Sequence, residues 1–221
     1  MSRNILWINP LGNAFADEAI ATAIRALKAP DTVAEVVSLS TSPSPDDLEF
    51  RSYGAVCYGD MLRTVHHAGL AGFDAAVIGC FYDPIIDDLR EASGEMIVVG
   101  PCQASLQVAS TLANRWSVLV PGQKEVIQAT DNAHRYGYGR QLASVRALDL
   151  GGDDLLGTTP QAVASLVRAG RAAVDGDFAE ALIIGCTLGA SLRQAVQAEL
   201  PVPIIDCVEA SFSSAEHLAT G

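Results

Sequence analysis

Two cysteines of this 221-residue chain stand in matched settings: Ala75-Ala76-Val77-Ile78-Gly79-Cys80 returns as Ala181-Leu182-Ile183-Ile184-Gly185-Cys186, 106 positions later. The same shift lays Ala92 on Ala198, Ile97-Val98-Val99 on Pro203-Ile204-Ile205, and Gln103-Ala104-Ser105 on Glu209-Ala210-Ser211. A thiol after a short apolar strand, delivered twice in register, predicts two related half-molecules. Ligands of open α/β sheets sit at the carboxyl ends of strands, so the expected active site lies between two lobes with Cys80 and Cys186 at its walls. Inverting a stereocentre takes a base on one face of a carbon and an acid on the other, and two matched thiols supply both. Asp83-Pro84 reads as an N-cap followed by first-turn proline. Thr187 reads as the cap of a helix running through Leu192 and Val196. Both cysteines are therefore expected just before helix N-termini, where N–H groups and the helix dipole pull a thiol below its free pKa of about 8.5. The same N–H groups are expected to hold the oxyanion that forms when an adjacent carbonyl spreads the carbanion charge.

Other candidates carry less chemistry. An isolated thiol most often packs as a small apolar residue, the reading given to Cys57, Cys102 and Cys207. Five well-separated cysteines without a Cys-x-x-Cys pair predict neither a disulfide framework nor a structural zinc site. His66 and His67 are adjacent, and His134 and His217 lie far off, so no metal-ligand spacing exists. Gly137-Tyr138-Gly139 lacks the third glycine of a dinucleotide fingerprint, and there is no P-loop. Ser105 and Ser211 have no histidine near them in sequence to make a nucleophile, and Asp87, Asp88 and Glu91 read as a solvated helix face. No metal and no cofactor are expected.

A formal charge of −12 without a basic run argues against nucleic acid. No segment reaches the roughly 18 to 20 apolar residues of a membrane span, and the first residues do not form a signal peptide, so a cytoplasmic, membrane-free protein is expected. Its partner is a small-molecule substrate, with a homo-oligomer as the expected assembly.

Apolar runs and helical spacings alternate along the chain. Strands are expected at 4–9, 33–39, 74–79, 96–100, 116–120, 144–150, 181–185 and 204–206. Helices are expected at 14–29, 51–68, 84–92, 103–114, 123–136, 160–174, 191–199 and 209–219. This alternation predicts an α/β fold of two pseudo-symmetric lobes, each a parallel sheet flanked by helices. The boundaries fall at 1–99 for the first lobe and 100–207 for the second, with 208–221 a helix returning to the first.

Gly79-Cys80-Phe81-x-Asp83-Pro84, Gly185-Cys186 and Ser144-Val145-Arg146-Ala147-Leu148-Asp149 resemble motifs of the hydantoin and allantoin racemase branch of the aspartate/glutamate racemase superfamily, over nearly the whole length. The resemblance implies two α/β lobes, cofactor-independent racemisation of a five-membered cyclic ureide, and catalytic thiols at Cys80 and Cys186. It also implies substrate contacts at Asn9, Phe81 and Thr187, with Pro43 of the Ser40–Asp47 loop placed among them. The chain departs from the branch at Leu11-Gly12 after Asn9-Pro10, at Val120-Pro121, and at Tyr82 where glycine is expected, changes that make the expected pocket more apolar. Racemisation of an amino acid, a related isomerisation or decarboxylation, and a non-catalytic binding protein on the same plan are the competing readings.

Overall fold

The structure, a computed structural model, describes residues 2–12, 16–40, 45 and 47–219. The chain divides into two compact units, residues 1–101 with 211–221, and residues 102–210. The expected boundaries at 99/100 and 207/208 fall two or three residues before these crossings.

The first unit contains β1 (Arg3–Asn9), α1 (Asp17–Leu27), β2 (Thr32–Ser38), α2 (Arg51–Ala71), β3 (Ala75–Ile78), α3 (Ile86–Ala92) and β4 (Ile97–Val99). Its strands are parallel, in the order β2-β1-β3-β4. The inner strands β1 and β3 carry unbroken apolar runs, Ile5 to Ile8 and Ala75 to Ile78, as expected where helices cover both faces of a parallel sheet. Leu6, Ile8, Ala76 and Ile78 pack on one face against Cys57, Met61 and Val65 of α2 and Ile86 and Leu89 of α3. The α2 residues lie four apart, so one helix face meets the sheet.

The second unit repeats the plan with α4 (Pro101–Leu112), β5 (Trp116–Val120), α5 (Gln123–Arg135), β6 (Leu142–Ala147), α6 (Pro160–Asp177), β7 (Ala181–Ile184), α7 (Arg193–Gln197), β8 (Ile204–Asp206) and α8 (Cys207–Leu218). Its parallel order is β6-β5-β7-β8, the order of the first unit shifted by one half-molecule. The register confirms the repeat: Ala76 pairs with Val98, and Leu182 with Ile204, two alignments related by the 106-residue shift. Leu119, Leu182, Ile184 and Ile204 form the sheet side of the core, and Ala162, Leu166, Ala169 and Ala173 of α6 the helix side. Thr159 caps α6 by accepting the Ala162 N–H at 3.1 Å, with Pro160 in its first turn. The last part of α8 belongs to the first unit, where Glu216 accepts the Ala29 N–H at 2.9 Å and its carbonyl accepts from Arg3 at 3.3 Å.

The edge strand β6 is held by charge. Ser144 and Arg146 lie two apart, hence on one face, and both donate to the Asp177 carboxylate that closes α6 (2.5 Å; 2.6 and 2.9 Å). Ser144 also meets Ser117 of β5 at 2.8 Å. The Ser144-to-Asp149 motif thus has a structural use, and the Arg146 hydrogen bond is the main cause that holds the Asp177 carboxyl below the usual carboxylate range. Arg146→Ala is expected to lower the unfolding free energy by about 1 kcal/mol, after allowance for solvent screening of this half-buried pair. Urea titration at pH 7 measures it, and an unchanged midpoint would make the pair an ornament of the surface.

Candidate functional site

Each cysteine follows a glycine whose place is fixed by close approach. Gly79 donates its N–H to the Ile8 carbonyl at 2.8 Å, and Gly185 donates to Leu119 at 2.8 Å. A Cβ on Gly79 would run into the Trp7 indole nitrogen and lie 3.0 Å from the Ile8 oxygen. On Gly185 it would lie 2.8 Å from Val118 Cγ1 and 3.0 Å from the Leu119 oxygen. Only glycine lets the strand end lie this near its neighbour. That is the physical content of the repeated Gly-Cys.

Cys80 is buried, and its N–H turns back to the Ile78 carbonyl at 2.7 Å. Its own carbonyl accepts the Asp83 N–H at 3.2 Å, closing a turn through Phe81 and Tyr82. The expected helix start at Asp83-Pro84 is corrected here. Asp83 has φ +47° and Ile85 φ +44°, both left-handed, and α3 begins only at Ile86. Proline disfavours the right-handed region in the residue before it, and aspartate tolerates the left-handed one, so the segment turns twice before it coils. No helix N-terminus directly follows Cys80. Phe81 is buried and meets Tyr82 edge to face at 6.1 Å. Tyr58 of α2 was not singled out from the sequence: burial first, and then the nearby charge of Cys80, push its phenol up, so it stands as a neutral hydroxyl.

Cys186 opens a short 3₁₀ turn, Thr187–Gly189, and α7 starts later with Leu192, not Thr187, at its N-cap position. Thr187 is buried inside the turn. The expected low thiol pKa is also corrected: burial pushes the Cys186 thiol up to about 12. The N–H groups of Leu188 and Gly189 favour the thiolate, but removal from water outweighs them, and Glu125 and Asp153 add negative charge. Glu125 is buried at the start of α5, where its carboxylate reaches back to accept the Gly122 N–H. Asp153 lies on the turn Asp153–Leu155, which packs on the Thr187 turn.

At the end of the neighbouring strand, Asp206 is buried, and its Oδ1 accepts the Val208 and Glu209 N–H groups at 2.7 and 3.1 Å. Burial nevertheless raises its carboxyl to about 6. Cys207 follows at the first position of α8, buried, its thiol pushed up chiefly by desolvation. Cys102 is buried in the first turn of α4, and none of the five cysteines is disulfide-bonded.

Asn9 stands at the end of β1 with its amide engaged by protein: Nδ2 donates to Asp17 and Ser38, each at 3.0 Å, and Oδ1 accepts the Leu11 N–H at 3.1 Å. Pro43 lies outside the described residues. All four histidines are exposed. Among the described residues no group of three or more His, Cys, Asp and Glu could hold a metal ion, and no helix is long and apolar enough to cross a membrane.

The fold is a two-unit α/β architecture in which one inner strand of each unit ends in Gly-Cys. The sequence model of the family described as Asp/Glu/Hydantoin racemase matches residues 5–215. A hydantoin racemase of Rhizobium meliloti is 34% identical over 184 residues, 83% of this chain and 76% of that protein. A hydantoin racemase of Pseudomonas sp. (strain NS671) is 28% identical over 96% of this chain and 84% of its own length. The solved allantoin racemase from Klebsiella pneumoniae superposes with a TM-score of 0.89 at 28% identity, covering 98% of this chain and 87% of that one. The chain belongs to the Asp/Glu/hydantoin racemase family, in its hydantoin and allantoin racemase branch, and is an isomerase of the racemase type.

Two outcomes follow from the electrostatics. Alkylation needs the thiolate, so the rate of Cys186 labelling by iodoacetamide, followed by peptide mass spectrometry, should keep rising about tenfold per pH unit beyond pH 9. Saturation near pH 8.5 would show an ordinary thiol. Asp206 titrates in the folded state near 6 and near its ordinary 3.8 when unfolded, so the folded protein takes up this proton first as pH falls. Its contribution to stability is full below about 4 and lost as pH rises through about 6. The unfolding free energy of wild type relative to Asp206→Asn should rise by up to about 3 kcal/mol between pH 8 and pH 4. A difference that does not change with pH would refute the shift.

Proposed function

We propose that this racemase inverts the 5-carbon of a 5-substituted hydantoin or a closely related cyclic ureide, with Cys80 and Cys186 serving opposite faces. The observation that carries the reading is the pair of Gly-Cys strand ends at equivalent places in the two units, in a chain of this family. In one direction the Cys80 thiolate removes the ring proton, the electron pair passes into the adjacent carbonyl, and the Cys186 thiol gives its proton to the opposite face. This leaves Cys80 as thiol and Cys186 as thiolate, the starting state for the reverse direction, so atoms and charge balance without a cofactor. The high pKa of Cys186 makes it the proton donor of the substrate-free enzyme near neutral pH.

An uncharged ring suits these surroundings better than a free amino acid. Glu125 and Asp153 already press negative charge on Cys186, and the nearby Arg193 is paired with Glu209 at 2.7 Å. A substrate carboxylate would add repulsion here, whereas a cyclic ureide carries only neutral carbonyl and N–H groups. Asn9, Phe81, Thr187 and Pro43 are the proposed substrate contacts, Asn9 through a partial exchange of its present hydrogen bonds.

Polarimetry on separate enantiomers, with loss of the ring-proton NMR signal in D₂O, tests the assignment. Cys80→Ala and Cys186→Ala should each reduce racemisation in both directions by at least about 100-fold. Each should retain hydrogen exchange for one enantiomer only, and a different one. Exchange by Cys80→Ala, which relies on Cys186, should be slow near neutral pH and climb as pH rises. Wild-type racemisation by Cys186→Ala, or exchange of the same enantiomer by both variants, would refute the two-thiol assignment.

A further inference from the structure

The carboxyl end of the second unit's sheet holds one more polar group that the thiol chemistry does not use. Asp206 closes β8, its backbone paired in register with Ile184, two residues before Cys186 on β7. The residue is 5% exposed, yet its two carboxyl oxygens are used unequally. Oδ1 takes both N–H groups of the α8 start, Val208 and Glu209, while Oδ2 takes no hydrogen bond from any described residue. A cap at a helix start requires one acceptor oxygen, and a serine or asparagine would supply it. A carboxylate in this largely buried residue, its second oxygen without a protein hydrogen bond and with a small opening to solvent, carries a desolvation cost that capping alone does not explain. The charged groups around it are Glu209 on α8, Arg193 on α7 in its ion pair with Glu209, and the thiols of Cys207 and, beside that, Cys186. Arg193 Nη1 is directed to Glu209, not to Asp206.

We propose that Asp206 Oδ2 accepts a ring N–H of the bound ureide and so sets the substrate's orientation over Cys186. The assignment rests on the function proposed above. It adds a specificity-determining residue whose chemistry separates a ring with N–H donors from a carbon acid lacking them. An N–H to carboxylate hydrogen bond in a water-poor site is among the stronger neutral-to-charged contacts, and its acceptor must be held rigidly, which the cap through Oδ1 does.

Asp206→Asn tests the point sharply, because asparagine keeps an oxygen for the cap and puts an NH₂ where Oδ2 stood. Asp206→Ser keeps a cap and removes the second oxygen. With a 5-substituted hydantoin that wild type racemises, both variants should lose about 10- to 100-fold in kcat/KM, while circular dichroism and thermal unfolding at pH 7.5 remain those of a folded protein. The readout that a purely structural role would not move is the response to ring methylation. Of the N1-methyl and N3-methyl derivatives, one should drop with wild type to the level of Asp206→Asn, and the variant should lose nothing further on it. Unchanged kcat/KM in both variants, an equal loss on all three compounds, or failure of Asp206→Asn to fold would overturn the assignment and leave the two-thiol reading standing. Absence of racemisation by wild type on every hydantoin would overturn the function itself, and this inference with it.

Discussion

The placement of both thiols depends on a backbone contact that only glycine permits. At the end of β3 and of β7 the chain passes so near the carbonyl of the neighbouring inner strand that a methyl group would have to displace a tryptophan in one unit and two valines in the other. The N–H of each glycine is pinned to that carbonyl at 2.8 Å, which fixes the direction in which the next residue leaves the sheet. The strands that carry these ends are inner strands of their sheets and fully buried, so the fixed point is itself held within a close-packed core. A reactive group must be held to well under an ångström to work in proton transfer, and a strand end clamped in this way is a stiffer mount than a loop.

Proton affinity at Cys186 is settled by a competition in which burial prevails. Loss of water opposes the thiolate most, Glu125 and Asp153 add to it, and the N–H groups of Leu188 and Gly189 favour the thiolate without prevailing. The outcome is a thiol that holds its proton until a partner can accept one. For a two-proton exchange this is useful, because an acid that ionised spontaneously near neutral pH would have nothing to give. In the proposed exchange, the surroundings that make Cys186 a reluctant base would have to be offset during turnover in the opposite direction, when that side carries the thiolate.

The repeat, the eight strands of the described residues and the parallel α/β plan are legible because short apolar runs separated by helical spacings are local signals. The Gly-Cys repeat also located the strand ends on which the proposed chemistry stands. What escaped was non-local or conformational. Asp83-Pro84 carries the pattern of a helix start, and nothing in the pattern reveals that Asp83 and Ile85 both turn left-handed first. The raised pKa of Cys186 is not legible, because a turn N-terminus is visible in sequence and desolvation is not. Glu125 and Asp153 stand 61 and 33 positions before Cys186, and no spacing rule joins them to it. Asp17 and Ser38, which engage the Asn9 amide, come from two further elements of the first unit.

The two halves also hide an equivalence that aligned residues conceal. At the 106-residue shift Asp83 falls on Gly189 and Gly100 on Asp206, so each half has one aspartate and one glycine with their places exchanged. In the first unit the Asp83 carboxyl lies against Gly100, both oxygens 2.6 Å from where a Cβ on that glycine would stand. In the second unit the carboxyl belongs to the strand-end residue itself. A buried carboxyl is therefore kept beside each thiol-bearing strand, delivered once from the turn after Cys80 and once from the end of β8. Position by position the acid changes place, yet each unit keeps a buried carboxyl near its Gly-Cys strand end, delivered by a different residue. Such an exchange frees the two carboxyls to diverge: Asp83 is constrained by its left-handed turn, while Asp206, mounted on a strand and anchored through one oxygen, keeps the other to offer.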